Sequence, residues 1–250
     1  MNSPIFGGFS LQEDFLDSRS YYSQIPKHVL LLPDGQRRYA EKIGLKDKET
    51  YELARKAMDR FLAVAFNEYR LKESSLFLLR PHSFSKQKRT KENVRQIFRV
   101  IREFSEDMSR GISPIEKLGD LKFRAITLAG KEWMKPPRRV QEDKDLLEDW
   151  LRLKEIFSVL QEKYNTGSRR LNFLVNYSGK AELEYALKHG KGKLQITNDI
   201  GLTIRCGDSL RLSDCPLYAL GQSHLYLIEK SFPEVSKKEF RFILSKYFKK

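Results

Sequence analysis

HVLLLPDGQRRYAEKIG, at residues 28–44, joins a short apolar run to a helical pattern through a turn that carries an acid and two arginines. The run at 28–32 is bounded by polar residues, which is typical of a buried parallel strand. If the following helix begins at Gln36 or Arg37, the free backbone N–H groups of its first turn point beyond the end of that strand. Together with the helix dipole, they would form an anion site. This stretch therefore predicts a strand, a ligand-binding turn and a helix.

The same alternation of short apolar runs with amphipathic patterns continues along the chain. Strands that alternate with longer helices predict a mostly parallel sheet with helices on its faces. The predicted strands are 28–32, 74–80, 123–130, 170–179, 200–208 and 224–230, and the predicted helices are 37–44, 49–71, 90–112, 140–167, 180–190 and 236–250.

This pattern predicts an α/β fold with a single domain, built on a six-stranded, mostly parallel sheet flanked by helices. We assign residues 25–250 to that domain. Residues 1–24 contain clusters of serine and tyrosine and two glycines, and we expect them to form a flexible N-terminal arm.

The 250 residues carry 47 Lys and Arg against 33 Asp and Glu, a formal net charge of +14. Such an excess favours an anionic partner, which could be nucleic acid, a membrane surface or a phosphorylated substrate. The basic residues are dispersed along the chain, and dispersed charge also occurs on ordinary solvated surfaces. No stretch reaches the roughly 18 uncharged apolar residues that a membrane span requires. Cys206 and Cys215 cannot form a disulfide framework, so we expect a reduced, cytoplasmic setting.

Polar residues follow several of the predicted strands. In parallel α/β sheets, ligands bind beyond the carboxyl ends of the strands, so these side chains would meet at one edge. Their convergence predicts a binding site for a charged ligand. The residues are Asp34, Gly35, Gln36, Arg37, Arg38, Ser83, Asn176, Arg205, Arg211 and Ser213.

Asp34, beside a turn suited to phosphate, predicts a divalent cation. Gly35 would let the backbone approach a ligand closely, and the N–H groups that follow would face a phosphate. The Asp34 carboxylate would repel a bare phosphate, and Mg²⁺ between the two groups would remove that repulsion. The alternative is that Pro33, Asp34 and Gly35 form an ordinary turn in which the Asp34 side chain caps the helix.

Two further segments carry candidate contacts to phosphate groups. Arg205 ends a predicted strand, and Arg211 and Ser213 follow in a loop, so two guanidinium groups and a hydroxyl could clamp a diphosphate. Ser83 and Arg89 follow the second predicted strand. For both segments, the alternative is a set of solvated polar residues beside a loop or a helix.

Four segments carry a family resemblance: HVLLLPDGQRRYAEKIGL at 28–45, SFSKQKRTKENV at 83–94, LNFLVNYSGKAEL at 171–183 and DIGLTIRCGDSLRLSDCPLYALGQSHLYL at 199–227. In order and spacing they resemble the motifs of the cis-prenyltransferase family, typified by undecaprenyl diphosphate synthase. The resemblance extends from residue 26 to about residue 240. Pro33 before Asp-Gly also resembles the irregular branch of the family typified by cyclolavandulyl diphosphate synthase.

The resemblance implies an enzyme that uses Mg²⁺ to condense an allylic diphosphate with isopentenyl or dimethylallyl diphosphate. It implies that Asp34 holds the metal and that Ser83 and Arg89 assist ionisation or proton removal. It also implies a homodimer with no nucleic-acid partner, and the basic charge leaves a peripheral membrane contact open. The implied substrate contacts are Gly35, Gln36, Arg37 and Arg38 for the allylic diphosphate, Arg205, Arg211 and Ser213 for the second diphosphate, and Asn176 as a further contact.

The sequence departs from the family pattern at several positions of the site. The Glu and Trp expected in the second motif are Ser85 and Gln87, and the late metal-binding Glu is His224. We expect His224 either to join Asp34 at the metal or to act as the base that takes the final proton. The alternative is that His224 simply starts a strand and packs on Tyr226.

Phenylalanines on the helices at 49–71 and 90–112 predict a short product. In the family, the growing chain lies between these two helices, and each ring would fill the space of about one isoprene unit. We therefore expect a product of about C10 to C20, whereas the alternative is that the rings are ordinary core residues. The rings are Phe61, Phe66, Phe98 and Phe104.

Three functions remain open at this stage. The first is a synthase with a short product, with head-to-middle or cyclising chemistry as an option. The second is a regular synthase that makes linear cis-polyprenyl diphosphates. The third is a non-catalytic or partner-dependent subunit of a cis-prenyltransferase.

Overall fold

The centre of the fold is one sheet of six strands. The computed structural model describes residues 27–85, 89–127, 133–207 and 211–248. Within these ranges the strands are β1 His28–Leu32, β2 Glu73–Leu79, β3 Leu121–Ile126, β4 Arg169–Val175, β5 Leu202–Cys206 and β6 His224–Ile228. They run parallel in the order β3-β4-β2-β1-β5-β6, which confirms the expected α/β fold and shows that the sheet is entirely parallel. The arm expected at 1–24 lies outside the described residues.

Helices connect the strands. They are α1 Gln36–Ile43, α2 Asp47–Leu62, α3 Lys91–Ser109, α4 Arg138–Gln141, α5 Lys144–Lys163, α6 Gly179–His189 and α7 Lys237–Tyr247. A π-helix at Ala63–Glu68 extends α2. Of the helices in the described part of the chain, none is long and apolar enough to cross a membrane.

Among the predicted elements that differ from the observed ones, two end or restart at a polar residue. The helix predicted at 140–167 is divided into α4 and α5, because Asp143 accepts hydrogen bonds from the N–H groups of Asp145 and Leu146 and starts a new helix. The strand predicted at 170–179 ends at Val175. The next residue, Asn176, has a φ of 52°, which lies outside the extended region that a strand requires.

Successive side chains of β1 belong to two different apolar clusters, one on each face of the sheet. Val29 and Leu31 belong to the larger cluster, and Leu30 and Leu32 belong to the smaller one. Successive side chains of a strand face opposite sides of the sheet, so an unbroken apolar run suits a strand that is covered on both faces. All four side chains are at most 3% exposed. β1 is therefore held rigidly between two layers, and the loop that follows it starts from a fixed point.

The phenylalanines of the α2 and α3 region belong to the core. Phe98 packs on Trp150 with ring centroids 5.5 Å apart, and Phe104 packs on Phe173 at 5.6 Å. The cavity between α2 and α3 is lined by other side chains. The expectation that these rings line a tunnel is therefore wrong, because contacts with other elements occupy the space around them. All four rings are at most 1% exposed: Phe61, Phe66, Phe98 and Phe104.

A buried polar network joins β1, β2 and β4 near their amino ends. His28 Nε2 lies 2.8 Å from Ser75 Oγ, and His28 Nδ1 lies 3.2 Å from the carbonyl oxygen of Asn198. The Asn172 amide donates to Glu73 at 2.7 Å and to Ser75 at 3.0 Å. Burial lowers the pKa of His28, while the Glu73 carboxylate opposes that shift.

The free energy of unfolding is expected to fall as the pH drops below 6.5, the ordinary pKa of histidine. Because the pKa of His28 is lowered in the folded chain, the unfolded chain binds the extra proton first and gains stability relative to the folded one. Urea midpoints measured from about pH 8 to about pH 5 check this. His28→Asn should flatten the slope, whereas replacing the exposed His189 by Asn should not. An unchanged slope in His28→Asn contradicts the assignment.

Candidate active site

The turn after β1 requires glycine at residue 35. Gly35 has a φ of 97°, and a Cβ at this position would lie 2.7 Å from Ser231 Oγ and 2.9 Å from Ser231 Cα. The Phe232 N–H donates to the carbonyl oxygen of Asp34 at 2.9 Å, which fixes the segment after β6 against the turn. The close approach that the sequence predicted for Gly35 is thus an approach to another part of the chain.

Asp34 does not cap α1. Its Oδ1 accepts a hydrogen bond from the Gly35 N–H at 2.8 Å, and its Oδ2 lies 2.7 Å from Nη2 of Arg205. Gly35 is the N-cap residue of α1, and as a glycine it supplies no side-chain cap. The alternative in which Asp34 serves only as a helix cap is therefore wrong. The first turn of α1 lies at the carboxyl edge of the sheet, directly after β1.

Arg205 is buried, and its two terminal nitrogens contact two different residues. Its side chain is 2% exposed, and its Nη1 donates to Ser213 Oγ at 2.8 Å while Nη2 pairs with Asp34. Its Nε is buried and has no hydrogen-bond partner within the described ranges. Burial lowers the pKa of Arg205, and the Asp34 carboxylate opposes that shift. The structure thus brings together Asp34, Arg205 and Ser213, and Arg205 is no solvated surface residue.

Further basic side chains border this group. Arg38 Nη2 lies 2.9 Å from the position that a Cβ at Gly207 would occupy, and the backbone carbon of Asp34 lies 3.5 Å from the same point. Arg37 is exposed beside Arg38 on α1. Arg211 is exposed as well, and its carbonyl oxygen lies 3.5 Å from Ser213 Oγ, so this loop adjoins the Arg205 side chain.

An apolar cavity of about 70 Å³ opens beside the turn, between α2 and α3. Its polar lining residues include Gln36, Tyr51 and Arg89, and its apolar lining includes Met58 and Leu76. Arg89 Nη1 donates to the Tyr51 hydroxyl at 2.9 Å. The Gln36 amide donates to the carbonyl oxygen of Pro33 at 3.0 Å, which attaches the start of α1 to the turn.

Ser83 and Asn176 lie at the same edge of the sheet as Asp34, but they follow other strands. Ser83 is buried in a 3₁₀ turn after β2, where its hydroxyl lies 3.3 Å from the N–H of Arg80. Asn176 follows β4, and β2 separates that strand from β1. Their proposed contacts with substrate stay predictions.

The structure places His224 away from Asp34. His224 is the first residue of β6 and pairs with Leu202, the first residue of β5. Because the sheet is parallel, it lies at the amino edge, about 10 Å along the strands from the level of Arg205. Its ring packs on Tyr247 with centroids 5.4 Å apart. The expectation that Asp34 and His224 share a metal within one chain is therefore wrong.

Two contributions to the site were not apparent from the sequence. Tyr51 occupies an apolar stripe of α2 and gives no local signal that its hydroxyl meets Arg89. Ser231 and Phe232 follow β6 and matter because they contact the turn at Asp34 and Gly35. Contacts between segments this far apart in the chain leave no mark in the spacing of residues.

Comparison with known proteins identifies the family. The family model described as “Putative undecaprenyl diphosphate synthase” matches residues 32–250. The chain belongs to this family. It is a cis-prenyltransferase, an enzyme class of isoprenoid biosynthesis, as the resemblance of its four motifs implied.

Curated relatives cover nearly the whole chain. A tritrans,polycis-undecaprenyl-diphosphate synthase (geranylgeranyl-diphosphate specific) from Pyrobaculum aerophilum is 25% identical over 244 residues, which cover 90% of this chain and 93% of that protein. An isoprenyl transferase from Campylobacter jejuni is 24% identical over 234 residues, covering 88% of this chain and 94% of that protein.

Solved structures share the fold. Lavandulyl diphosphate synthase from Lavandula x intermedia, in complex with dimethylallyl diphosphate, has a TM-score of 0.66 and 19% identity, covering 89% of this chain and 95% of that chain. A “probable undecaprenyl diphosphate synthase” from Campylobacter jejuni has a TM-score of 0.62 and 17% identity, covering 91% and 97%. At these identities, the likeness is one of fold.

Gly35→Ala is expected to lower the free energy of unfolding by about 1–3 kcal/mol more than Gly44→Ala does. Both glycines have positive φ, at 97° and 70°, but a Cβ at Gly44 has nothing within 4 Å while one at Gly35 meets Ser231. Urea unfolding of the two variants separates the steric contact from backbone strain. Equal losses in the two variants would show that the contact with Ser231 does not constrain the turn.

Proposed function

We propose that this chain condenses an allylic diphosphate with isopentenyl or dimethylallyl diphosphate and releases a short prenyl diphosphate. The observation that carries the proposal is the junction of a charged group with an apolar cavity. Asp34 pairs with Arg205 beyond the strand ends, and the adjoining cavity is lined by Pro33, Gln36 and Arg89. A prenyl diphosphate has the same division into a charged head and an apolar tail.

The first turn of α1 would bind the diphosphate of the allylic substrate. The N–H groups of Gln36, Arg37 and Arg38 belong to a helix start whose N-cap, Gly35, carries no side chain, and helix starts attract anions. Gly35 lets the turn before α1 pack against Ser231, where a side chain would not fit. The exposed guanidinium groups of Arg37 and Arg38 would add charge-assisted hydrogen bonds.

Arg205, Arg211 and Ser213 would bind the diphosphate of the second substrate. Arg205 and Ser213 already contact each other, so the guanidinium is held in one orientation before a ligand arrives. A preoriented guanidinium loses less freedom on binding than a mobile one. Asn176, at the same edge of the sheet, is a further predicted contact.

Mg²⁺ fits the donor set at this edge. Within the described ranges, no group of three or more His, Cys, Asp or Glu side chains is arranged to hold a metal ion. Mg²⁺ is usually bound through one or two carboxylates together with substrate phosphates, and Asp34 supplies one carboxylate. When bound, the ion would neutralise charge on the departing diphosphate. Asp34 Oδ2 would then leave Arg205, whose guanidinium becomes available to phosphate oxygens.

Condensation breaks the allylic C–O bond, forms a C–C bond to the double bond of the second substrate and releases one proton. Arg89 borders the cavity, where it would stabilise the negative charge that develops on the departing diphosphate. Its hydrogen bond to Tyr51 orients the guanidinium. A part for Ser83 in ionisation or proton removal stays a prediction.

A regular synthase of linear cis-polyprenyl diphosphates is the second candidate, because the name of the relative from Pyrobaculum aerophilum specifies an undecaprenyl diphosphate. The small cavity favours a shorter tail. The intact turn at Asp34 and Gly35, with Arg205 paired to it, argues against a non-catalytic subunit. Irregular or cyclising chemistry, a homodimer and a peripheral membrane contact stay predictions.

The proposal is tested by incubating the protein with Mg²⁺ and dimethylallyl, geranyl or farnesyl diphosphate, each with and without isopentenyl diphosphate. Mass spectrometry of the dephosphorylated products should show short prenyl alcohols of about C10 to C20, because the cavity beside the turn is small. Products formed from dimethylallyl diphosphate alone would indicate the irregular reaction. Absence of product from every combination contradicts the proposed function.

Asp34→Asn is expected to lower kcat at least about 100-fold, because it removes the carboxylate that pairs with Arg205 beside the diphosphate site and with it the proposed Mg²⁺ ligand. The amide keeps the shape of the side chain, and circular dichroism should confirm an unchanged fold. Glu41→Gln, on the exposed face of α1, is the matched control and should retain full activity. Full wild-type activity in excess EDTA, or near-normal turnover by Asp34→Asn, would overturn the metal assignment.

A further inference from the structure

We propose that a ladder of ion pairs between α2 and α3, with Arg55 at its inner end, closes the apolar cavity and sets the length of the prenyl tail that the protein accepts. The inference rests on the proposed function, and it names a specificity determinant of that same site.

The ladder consists of Glu52 and Arg55 on α2 and Arg99, Glu103 and Asp107 on α3. Arg99 Nη1 lies 3.4 Å from Glu52 and 3.7 Å from Glu103. Arg55 Nη1 lies 3.9 Å from Glu103, and Arg55 Nη2 pairs with Asp107. The contacts progress along both helices in the same direction, so the ladder follows the seam between them.

Arg55 is also part of the cavity wall. It follows Tyr51 by one helical turn and lines the cavity with Met58, Leu76 and Ile101. Tyr51 and Arg89 contact each other, and Arg89 lies close in sequence to the start of α3, on the side of the strand ends. Arg55 therefore places a charged group among apolar side chains further along α2, away from the diphosphate site.

Extending an apolar tail beyond the paired Arg55 guanidinium is energetically unfavourable. Moving between Arg55 and Asp107 would separate the two charges and bury them without each other, which is costly. Asp59, one turn further along α2, adds to this barrier, because its Oδ1 is buried and has no hydrogen-bond partner within the described ranges. Burial raises the pKa of Asp59, and Arg55 opposes that shift.

Further along α2 and α3, buried aromatic rings form part of the core. Phe61 and Phe104 are fully packed against rings of other elements, Phe240 and Phe173. The wall formed by the ladder differs, because it is held by partly exposed polar contacts instead of apolar packing. Partly exposed ion pairs contribute little to stability, so loss of one pair should leave the fold intact.

The first experiment compares product lengths. Arg55→Ala should lengthen the product by at least one isoprene unit in the mass spectrometric assay with excess isopentenyl diphosphate. Arg95→Ala is the matched control, because Arg95 lies on α3, like the partners of Arg55, but pairs with Asp149 on α5 at 2.9 Å, on another face of that helix. The control should give the wild-type product. An Arg55→Ala enzyme with wild-type product lengths would overturn the proposal.

The second experiment measures, without turnover, how the affinity for a prenyl diphosphate depends on the length of its tail. Calorimetry in EDTA gives the dissociation constants of dimethylallyl and farnesyl diphosphate for wild type and for Arg55→Ala. We expect Arg55→Ala to improve binding of farnesyl relative to dimethylallyl diphosphate by about tenfold or more, because additional apolar surface becomes buried. An unchanged ratio would overturn the ladder proposal, even if wild type forms product. If wild type forms no product but the ratio changes as expected, the proposed condensation fails while the ladder stands.

Asp107→Asn provides a second variant in case Arg55→Ala does not fold. It weakens the same pair from α3 and keeps the Arg55 side chain. The expected change has the same direction in both experiments. Wild-type product lengths and a wild-type binding ratio in Asp107→Asn would contradict the proposal.

Discussion

The ion pair between Asp34 and Arg205 is the contact on which the rest of the site depends. Arg205 is almost fully buried, and a guanidinium in such a place requires a carboxylate to balance its charge. The pair connects the turn after β1 to the end of β5, two neighbouring strands of the sheet. It therefore fixes the turn from which α1 starts. It also holds next to each other a carboxylate that suits Mg²⁺ and a guanidinium that suits a phosphate.

The strand ends could be predicted from the sequence because each apolar run is short and ends in polar residues. In a parallel sheet, that pattern alone decides which residues share an edge, and it correctly brought Asp34, Arg205 and Ser213 together. The same rule explains the error at His224. That residue begins a strand, so the parallel arrangement sends it to the opposite edge, whatever its likeness to a metal ligand in a family motif.

The apolar cavity shows a different limit of prediction. Periodicity identified Phe98 and Phe104 on the apolar stripe of α3, but a stripe faces both the core and any cavity within it. Which side chains reach the cavity depends on how α2, α3 and α5 pack, and Trp150 of α5 occupies the space beside Phe98. The sequence did not indicate the role of the ladder residues either, because charged side chains at helical spacing usually indicate a solvated face. Here they close a wall between two helices.

The most direct test of this account is a crystal structure with Mg²⁺ and dimethylallyl thiolodiphosphate, an analogue that resists ionisation. In that crystal, the diphosphate should contact Arg38 and the first turn of α1, Asp34 should turn from Arg205 to the metal, and the tail should enter the cavity beside Tyr51. A diphosphate bound elsewhere, with Asp34 still paired to Arg205 and the cavity empty, would contradict it.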